Sequence, residues 1–377
     1  MTDRPAPRLG MADVKPLLQA RAKELAQLLV PSGQLEGNRW QGNDPAGGRE
    51  NFTVWISGPA AGSFKAWARD GTGDVFDLIV FLEQAHDRKG ALAWAKGWLG
   101  LEGVDAQRVQ EIRAQRAKVD ETRAAEEKAK QDRQAKYAKA VWLEGAGLAK
   151  GDAAWTYLEI VRGIPMGWLW RRRPIGAMRF HSALDYWWPG SDGLDDYWRS
   201  VRPRTGKSQH PALVSVMSPV NGGAGGGLHR TYLARDGMAK ARVPSAKKMH
   251  GAVTGCAIKL WRGETGLSEG QAIKKGALSP LIVTEGIEDA LSVAVAMPEM
   301  RVWAAGSLSL LAAMPWPACA SEVIVVADND WNKPEAQKLL DKAVTGLAAQ
   351  GAVRVARVAD PTLKDMNDLL NAQRRQS

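Results

Sequence analysis

From Ser279 onward, short β-branched apolar runs alternate with stretches whose apolar residues recur every three or four positions. The order is strand "LIVTE", helix "IEDALSVAVAM", strand "RVWAA", helix "LSLLAAM", strand "EVIVVAD", helix "PEAQKLLDKAVTGLAAQ", strand "VRVARV" and a closing "KDMNDLL". Alternation of this length predicts a parallel sheet with helices on its faces. Two of the buried strands stop abruptly at acid: Glu285 ends the first, and Asp328 and Asp330 end the third. In parallel sheets function gathers at the carboxyl ends of the strands, where these three residues fall by register.

Upstream the pattern changes three times. Residues 151–277 mix short strand-like runs with glycine turns, as in "AMRFH", "PALVSVM" and "GGAGGGLHRTYLARDG". Residues 104–150 are rich in Ala, Arg, Lys, Glu and Gln, which predicts a solvated helix acting as a linker. Residues 1–103 read as a small α+β module. A helix in "LAQLLVPSG" stops at Pro31 and Gly33, "NFTVWI" and "SFKAWA" are strands, and "VFDLIVFLEQA" is a helix capped by Asp74. The fold class is α/β: a C-terminal parallel sheet (278–377), a mixed α+β basic subdomain, a helical linker and the small N-terminal module.

Composition narrows the partners. The 377 residues carry a formal net charge of +10, so an acidic polymer is a natural ligand. Two cysteines, Cys256 and Cys319, exclude a disulfide framework and a cysteine-only zinc site. The sequence begins with no apolar segment of signal-peptide type and has no bilayer-length apolar run, which leads us to expect a cytoplasmic protein without a membrane partner.

Three carboxylates converging at one sheet edge repel one another unless a cation sits among them, and hard oxygen ligands suit Mg²⁺ or Mn²⁺. A lone Asp-x-Asp reads more simply as a pair of helix-capping acids. The combination is more telling: "VTEGIEDA" followed by "VVADND" resembles the toprim domain of DnaG-type primases, topoisomerases and some nucleases. The resemblance covers the last hundred residues. It implies that Asp328 and Asp330 hold the divalent metal and that Glu285 is a metal ligand or the general acid/base of nucleotidyl transfer. Asp289 fits the helix after the glutamate, and Asp365 and Asp368 in "KDMNDLL" are further candidates, with a plain surface helix as the alternative.

Two stretches point to primase among the toprim proteins. "TYLEIVRGI" resembles the opening of the DnaG-type catalytic core, with one extra residue between Leu158 and Arg162. "GLHRTYLARDGMAKARVPSAKKMHG" resembles the basic subdomain of phage- and plasmid-borne primases. That likeness implies nucleic-acid and nucleotide binding by Arg230, Lys240, Arg242, Lys247 and Lys248; a solvated basic loop is the alternative. Zinc is not expected. The "GTGDVFDLI" strand–turn–helix resembles the end of a primase zinc ribbon, yet "NRWQGNDPAGG" and "KAWARDG" contain neither Cys nor His, and four such ligands are needed. Trp40, Trp55 and Trp67 are then expected to fill the core of a metal-free module, or to stack on single-stranded bases. The expected protein is a primase that makes short primers on single-stranded DNA from nucleoside triphosphates, with a separate replicative helicase as a candidate partner, since little chain follows the last helix. A toprim nuclease and a catalytically decayed DNA-binding accessory factor are the competing readings.

Overall fold

The computed structural model of the chain describes residues 8–376 apart from 46, 47, 68, 105, 224 and 331. The chain forms two compact units, residues 1–127 and 128–377.

The first unit opens with helices α1 (Met11–Ala20) and α2 (Ala22–Leu29). Strands β1 (Gln34–Glu36), β2 (Arg39–Asp44), β3 (Gly48–Trp55), β4 (Phe64–Ala66) and β5 (Gly71–Gly73) follow as an antiparallel sheet in sequence order. Helix α3 (Val75–Phe81) starts where Asp74 caps it, its carboxylate accepting from the amides of Phe76 at 2.9 Å and Asp77 at 3.2 Å. The apolar face of α3 then joins Phe52, Val54 and Phe64 in the core. Helix α4 (Arg88–Trp98) follows. Trp40 lies in this core, its indole donating to the Val30 carbonyl at 2.9 Å. Trp55 is half-buried. The core-filling expectation fails for Trp67, which is 61% exposed with the Lys65 ammonium 4.4 Å above its ring. Residues 46, 47 and 68, part of the stretches read as replaced zinc ligands, lie outside the described residues.

The division between the units falls within the 39-residue helix α5 (Ala106–Glu144). Val109 and Ile112 belong to the first unit's core, Ala138 and Val141 to a core of the second, and residues 117–133 are exposed.

The second unit starts with β6 (Ala146–Gly147), α6 (Ala153–Thr156), a π-helical turn over Tyr157–Val161, and α7 (Met166–Arg172). Next come β7 (Met178–Trp187), α8 (Asp196–Val201), β8 (Lys207–Pro219), β9 (Gly227–Tyr232), β10 (Lys247–Gly251), β11 (Cys256–Arg262) and α9 (Glu269–Lys275). The regular part is β12 (Ser279–Thr284), α10 (Ile287–Ala296), β13 (Arg301–Ala304), α11 (Leu308–Ala312), β14 (Ala320–Ala327), α12 (Pro334–Ala348), β15 (Val353–Arg357) and α13 (Met366–Gln376).

Among the described residues, one ten-stranded sheet runs through this unit in the order β10-β9-β8-β11-β13-β12-β14-β15, with β7 also on β8 and β6 on β7. Strands β13, β12, β14 and β15 are mutually parallel, and β11 joins them antiparallel to β13. The basic region and the parallel region therefore share one sheet. The apolar strands are covered on both sides: Ile282 and Val326 face a core with Ile287 and Leu291 of α10, while Leu281, Val283 and Val325 face one with Leu340 and Leu347 of α12. Two-sided burial is why these runs are apolar without interruption. It also leaves the first free polar positions at the strand ends.

Candidate active site

At the carboxyl end of the parallel strands lies a pocket of about 220 Å³ lined by both acids and bases. The acids come from three connections. Glu285 follows β12, Asp289 sits in the first turn of α10, Asp328 follows β14, and Asp365 precedes α13. One carboxylate oxygen each from Asp289, Asp328 and Asp365 lie within 4.8 Å of one another. Gly286 permits this packing, since a Cβ there would stand 2.9 Å from the Asp289 carboxylate.

Crowded like charges show in the proton affinities. Burial, then Asp365 and Asp328, push Asp289 up to about 7. Burial and Asp365 raise Asp328, and burial with Asp328 and Asp330 raises Glu285. Lys247 and Lys364 offset this crowding only in part, and the hard, closely spaced oxygens fit Mg²⁺ or Mn²⁺.

Of the predicted acids, Glu285 and Asp328 line the pocket. Asp330 does not line it; its carboxylate is 2.8 Å from the Lys333 ammonium, although its charge still reaches Glu285 and Asp328. Asp289 and Asp365 belong to the cluster. Asp365 also accepts from the Asp368 amide at 2.9 Å at the start of α13. Asp368 accepts from the Lys364 amide and stays outside the pocket. Asn329, between the two aspartates, fastens the loop that carries Asp365. Its amide nitrogen lies within hydrogen-bond reach of the carbonyls of Val358, Asp360 and Leu363, and its backbone N–H donates to Lys364 at 2.7 Å.

The basic wall consists of Arg162, Lys240, Lys247 and Lys364. Strand alternation divides the basic residues expected to act together. Lys247 faces the pocket, whereas Lys248 donates to the Trp187 carbonyl at 2.6 Å and lies 3.9 Å above the ring of Tyr186. On β9, Arg230 is buried on that same far side, 3.2 Å from the Tyr232 hydroxyl, and Arg242 stacks on Tyr197. The structure brings Lys240 and Lys247 to the acids and leaves Arg230, Arg242 and Lys248 away from the pocket.

Residues 280–375 match the family model described as a toprim domain. The C-terminal domain is a toprim domain. Residues 132–260 match a domain of unknown function, DUF7146. Among solved structures, the chain resembles the primase fragment of the bacteriophage T7 primase-helicase protein (20% identity, TM-score 0.30), over 44% of this chain and 60% of that one. It also resembles the zinc-binding and RNA polymerase domains of the Aquifex aeolicus primase (15% identity, TM-score 0.31), over 96% of this chain and 84% of that one. Among curated proteins none matches the chain.

Three residues around the toprim site were not among the expected site residues. Glu288, 6% exposed in α10, is the hub of the basic wall: the Lys247 ammonium lies at 3.1 Å, Arg162 at 3.5 Å and Lys240 at 3.9 Å. These cations outweigh its burial and hold it down to about 2. Its only sequence signal is a third acid within "EGIED". His229 lines the pocket at 3% exposure with Nδ1 unpartnered, and burial and the nearby Lys247 depress it to about 4, so it is neutral at physiological pH. Its signal is alternation along β9, opposite in parity to Arg230. Arg162 stood inside a quoted motif, but only the fold sets it beside Glu288.

Proposed function

We propose that the protein is a primase, condensing nucleoside triphosphates into short primers on single-stranded DNA. The observation that carries this reading is one pocket in which the toprim carboxylates face Arg162, Lys240 and Lys247 from the region before them. A hydrolytic site needs the acids; a site that also binds a triphosphate substrate needs a cationic wall opposite them. Among the described residues, no helix is long and apolar enough to cross a membrane.

In this reading Arg162, Lys240 and Lys247 bind the triphosphate by charge and fix its phosphates against the acidic wall. The attacking 3′-hydroxyl oxygen bonds to the α-phosphorus, the bond to the β-phosphate oxygen breaks, and pyrophosphate leaves. Glu285, with its raised proton affinity, accepts the proton the hydroxyl loses. Asp289, Asp328 and Asp365 would hold Mg²⁺ or Mn²⁺, and the family resemblance adds Asp330. When bound, such a cation neutralises phosphate charge and aligns the reacting oxygens. Of the far-side residues, the buried Arg230 is assigned to shaping the subdomain, and the exposed Arg242 and half-buried Lys248 to touching template. A separate helicase remains a proposed partner.

The test is one reaction containing single-stranded DNA, labelled nucleotides and Mg²⁺ or Mn²⁺. Labelled oligonucleotides that disappear in Asp328→Asn are the expected result. Shortened template with no labelled product would identify a nuclease, and DNA binding with neither would identify an accessory factor.

A further inference from the structure

We infer that Glu288 is the positioning residue of the basic wall, holding Arg162, Lys240 and Lys247 as one preformed cradle for a chain of phosphates. The inference deepens the primase reading and rests on it. The three cations come from separate segments: Arg162 from the end of the π turn, Lys240 from the β9–β10 connection and Lys247 from β10. What they share is this carboxylate, at 3.5, 3.9 and 3.1 Å. Left alone, three like charges this close would repel, and the flexible lysine stems would carry their ammonium groups into solvent.

The carboxylate is itself held from behind. The Tyr157 hydroxyl donates to Glu288 Oε1 at 3.1 Å and accepts from Arg162 Nε at 2.9 Å. In an ordinary α-helix, residues five apart point to different faces. Here the π turn, closed by the Arg162 amide on the Tyr157 carbonyl at 3.0 Å, brings both side chains to Glu288. Gly163 follows at φ +63 and lets α13 approach, where Asn367 and Asn371 donate to the Arg162 carbonyl at 2.8 and 3.0 Å. Two buried groups, Glu288 and Tyr157, thus fix three partly exposed cations, the condition for a preorganised site open to a ligand.

A second observation points to a ligand. The buried His229 lines the same pocket with Nδ1 unpartnered, and buried polar atoms are ordinarily satisfied. At about 220 Å³ the cavity is smaller than the roughly 300 Å³ at which pockets begin to enclose a whole small molecule, which suits a phosphate chain whose nucleoside lies outside.

The experiment measures binding of inorganic tripolyphosphate by calorimetry, in chelator, to the full chain and to Glu288→Gln, Glu288→Asp and Tyr157→Phe. Glu288→Gln keeps shape but turns a donor toward the cations, and binding should weaken by about tenfold or more. Glu288→Asp should recover most of that loss. Tyr157→Phe, which keeps every charge, should weaken binding about fivefold, the worth of one hydrogen bond, and keeps the test decisive should Glu288→Gln fold poorly. In priming assays Glu288→Gln should raise nucleotide KM more than it lowers kcat. Binding by Glu288→Gln as tight as or tighter than the parent would overturn the inference, making the carboxylate a mere counter-charge, as would unchanged binding by Tyr157→Phe. If the parent chain ignores tripolyphosphate, the cradle is refuted whatever primer synthesis shows. Tight tripolyphosphate binding without primer synthesis would sink the primase reading and leave the role of Glu288 standing.

Discussion

Lys247 reaches Glu288 from the pocket face of β10, and the next residue places its ammonium over the Tyr186 ring on the opposite face. Burial and the nearby Arg230 lower the proton affinity of Lys248, as expected for a half-buried cation fixed in an aromatic setting. The two lysines should therefore fail differently. Lys247→Ala is expected to raise nucleotide KM by an order of magnitude or more, the scale of one charged contact to a phosphate. Lys248→Ala should leave KM within about twofold and instead lower the melting temperature, through loss of a cation–π contact worth up to about 2 kcal/mol. Steady-state kinetics and a melting curve on each single variant check this; equal KM effects would contradict the alternation.

Two short elements set the geometry of their units. Asp74 caps α3 and also pairs with Lys15 at 2.8 Å and Arg88 at 3.0 Å. Those cations and the amide donors outweigh burial and hold its pKa well below the usual carboxylate range. A depressed folded-state pKa stabilises fully above the ordinary value and is lost as pH falls through the folded one. Asp74→Ala should thus cost about 1–2 kcal/mol at neutral pH, and denaturant melts of variant and parent should converge in strong acid. A gap unchanged by acid would show that capping charge is not the cause. The π turn offers a sharper test. Ile160 is 60% exposed, and deleting it should return the turn to α geometry with Tyr157 and Arg162 four apart, still on one face. Tripolyphosphate binding by that variant should stay within about threefold of the parent, less than 1 kcal/mol. A collapse of binding in a folded deletion variant would mean that the extra residue does more than hold register.

At the scale of the whole chain, the site exists because one sheet joins two regions with different chemistry. The toprim strands present acids at their carboxyl ends, and the antiparallel β8–β10 extension of the sheet brings His229 and Lys247 to the same edge. In the first unit, residues 1–103 contain no cysteine and one histidine, His86, too few thiolate and imidazole ligands for a ribbon-type zinc. Its core is instead supplied by α3, Phe52, Phe64 and Trp40. Elemental analysis of the purified protein should accordingly find far less than one zinc per chain, and a zinc chelator should leave its melting temperature unchanged. About one zinc per chain would overturn this account of the module.

By itself the sequence determined the alternation of strand and helix after Ser279, the cap at Asp74, the long exposed helix, and Glu285 and Asp328 at strand ends. These are local facts: periodicity, propensity and the rule that function collects where parallel strands stop. Tertiary structure decided which charges meet. Lys247 and Lys248 part because successive strand residues face opposite ways, and Arg230 turns from the pocket for the same reason. Asp365 joins Asp289 and Asp328 across intervening elements, in a loop that Asn329 pins to the end of β14. Glu288 looks like one more acid at a helix start until the π turn, β10 and the β9–β10 connection bring three cations to it. Periodicity assigns a residue to a face. Only the packing of distant segments says what that face will meet, because electrostatic partners are chosen by distance in space and not by separation along the chain.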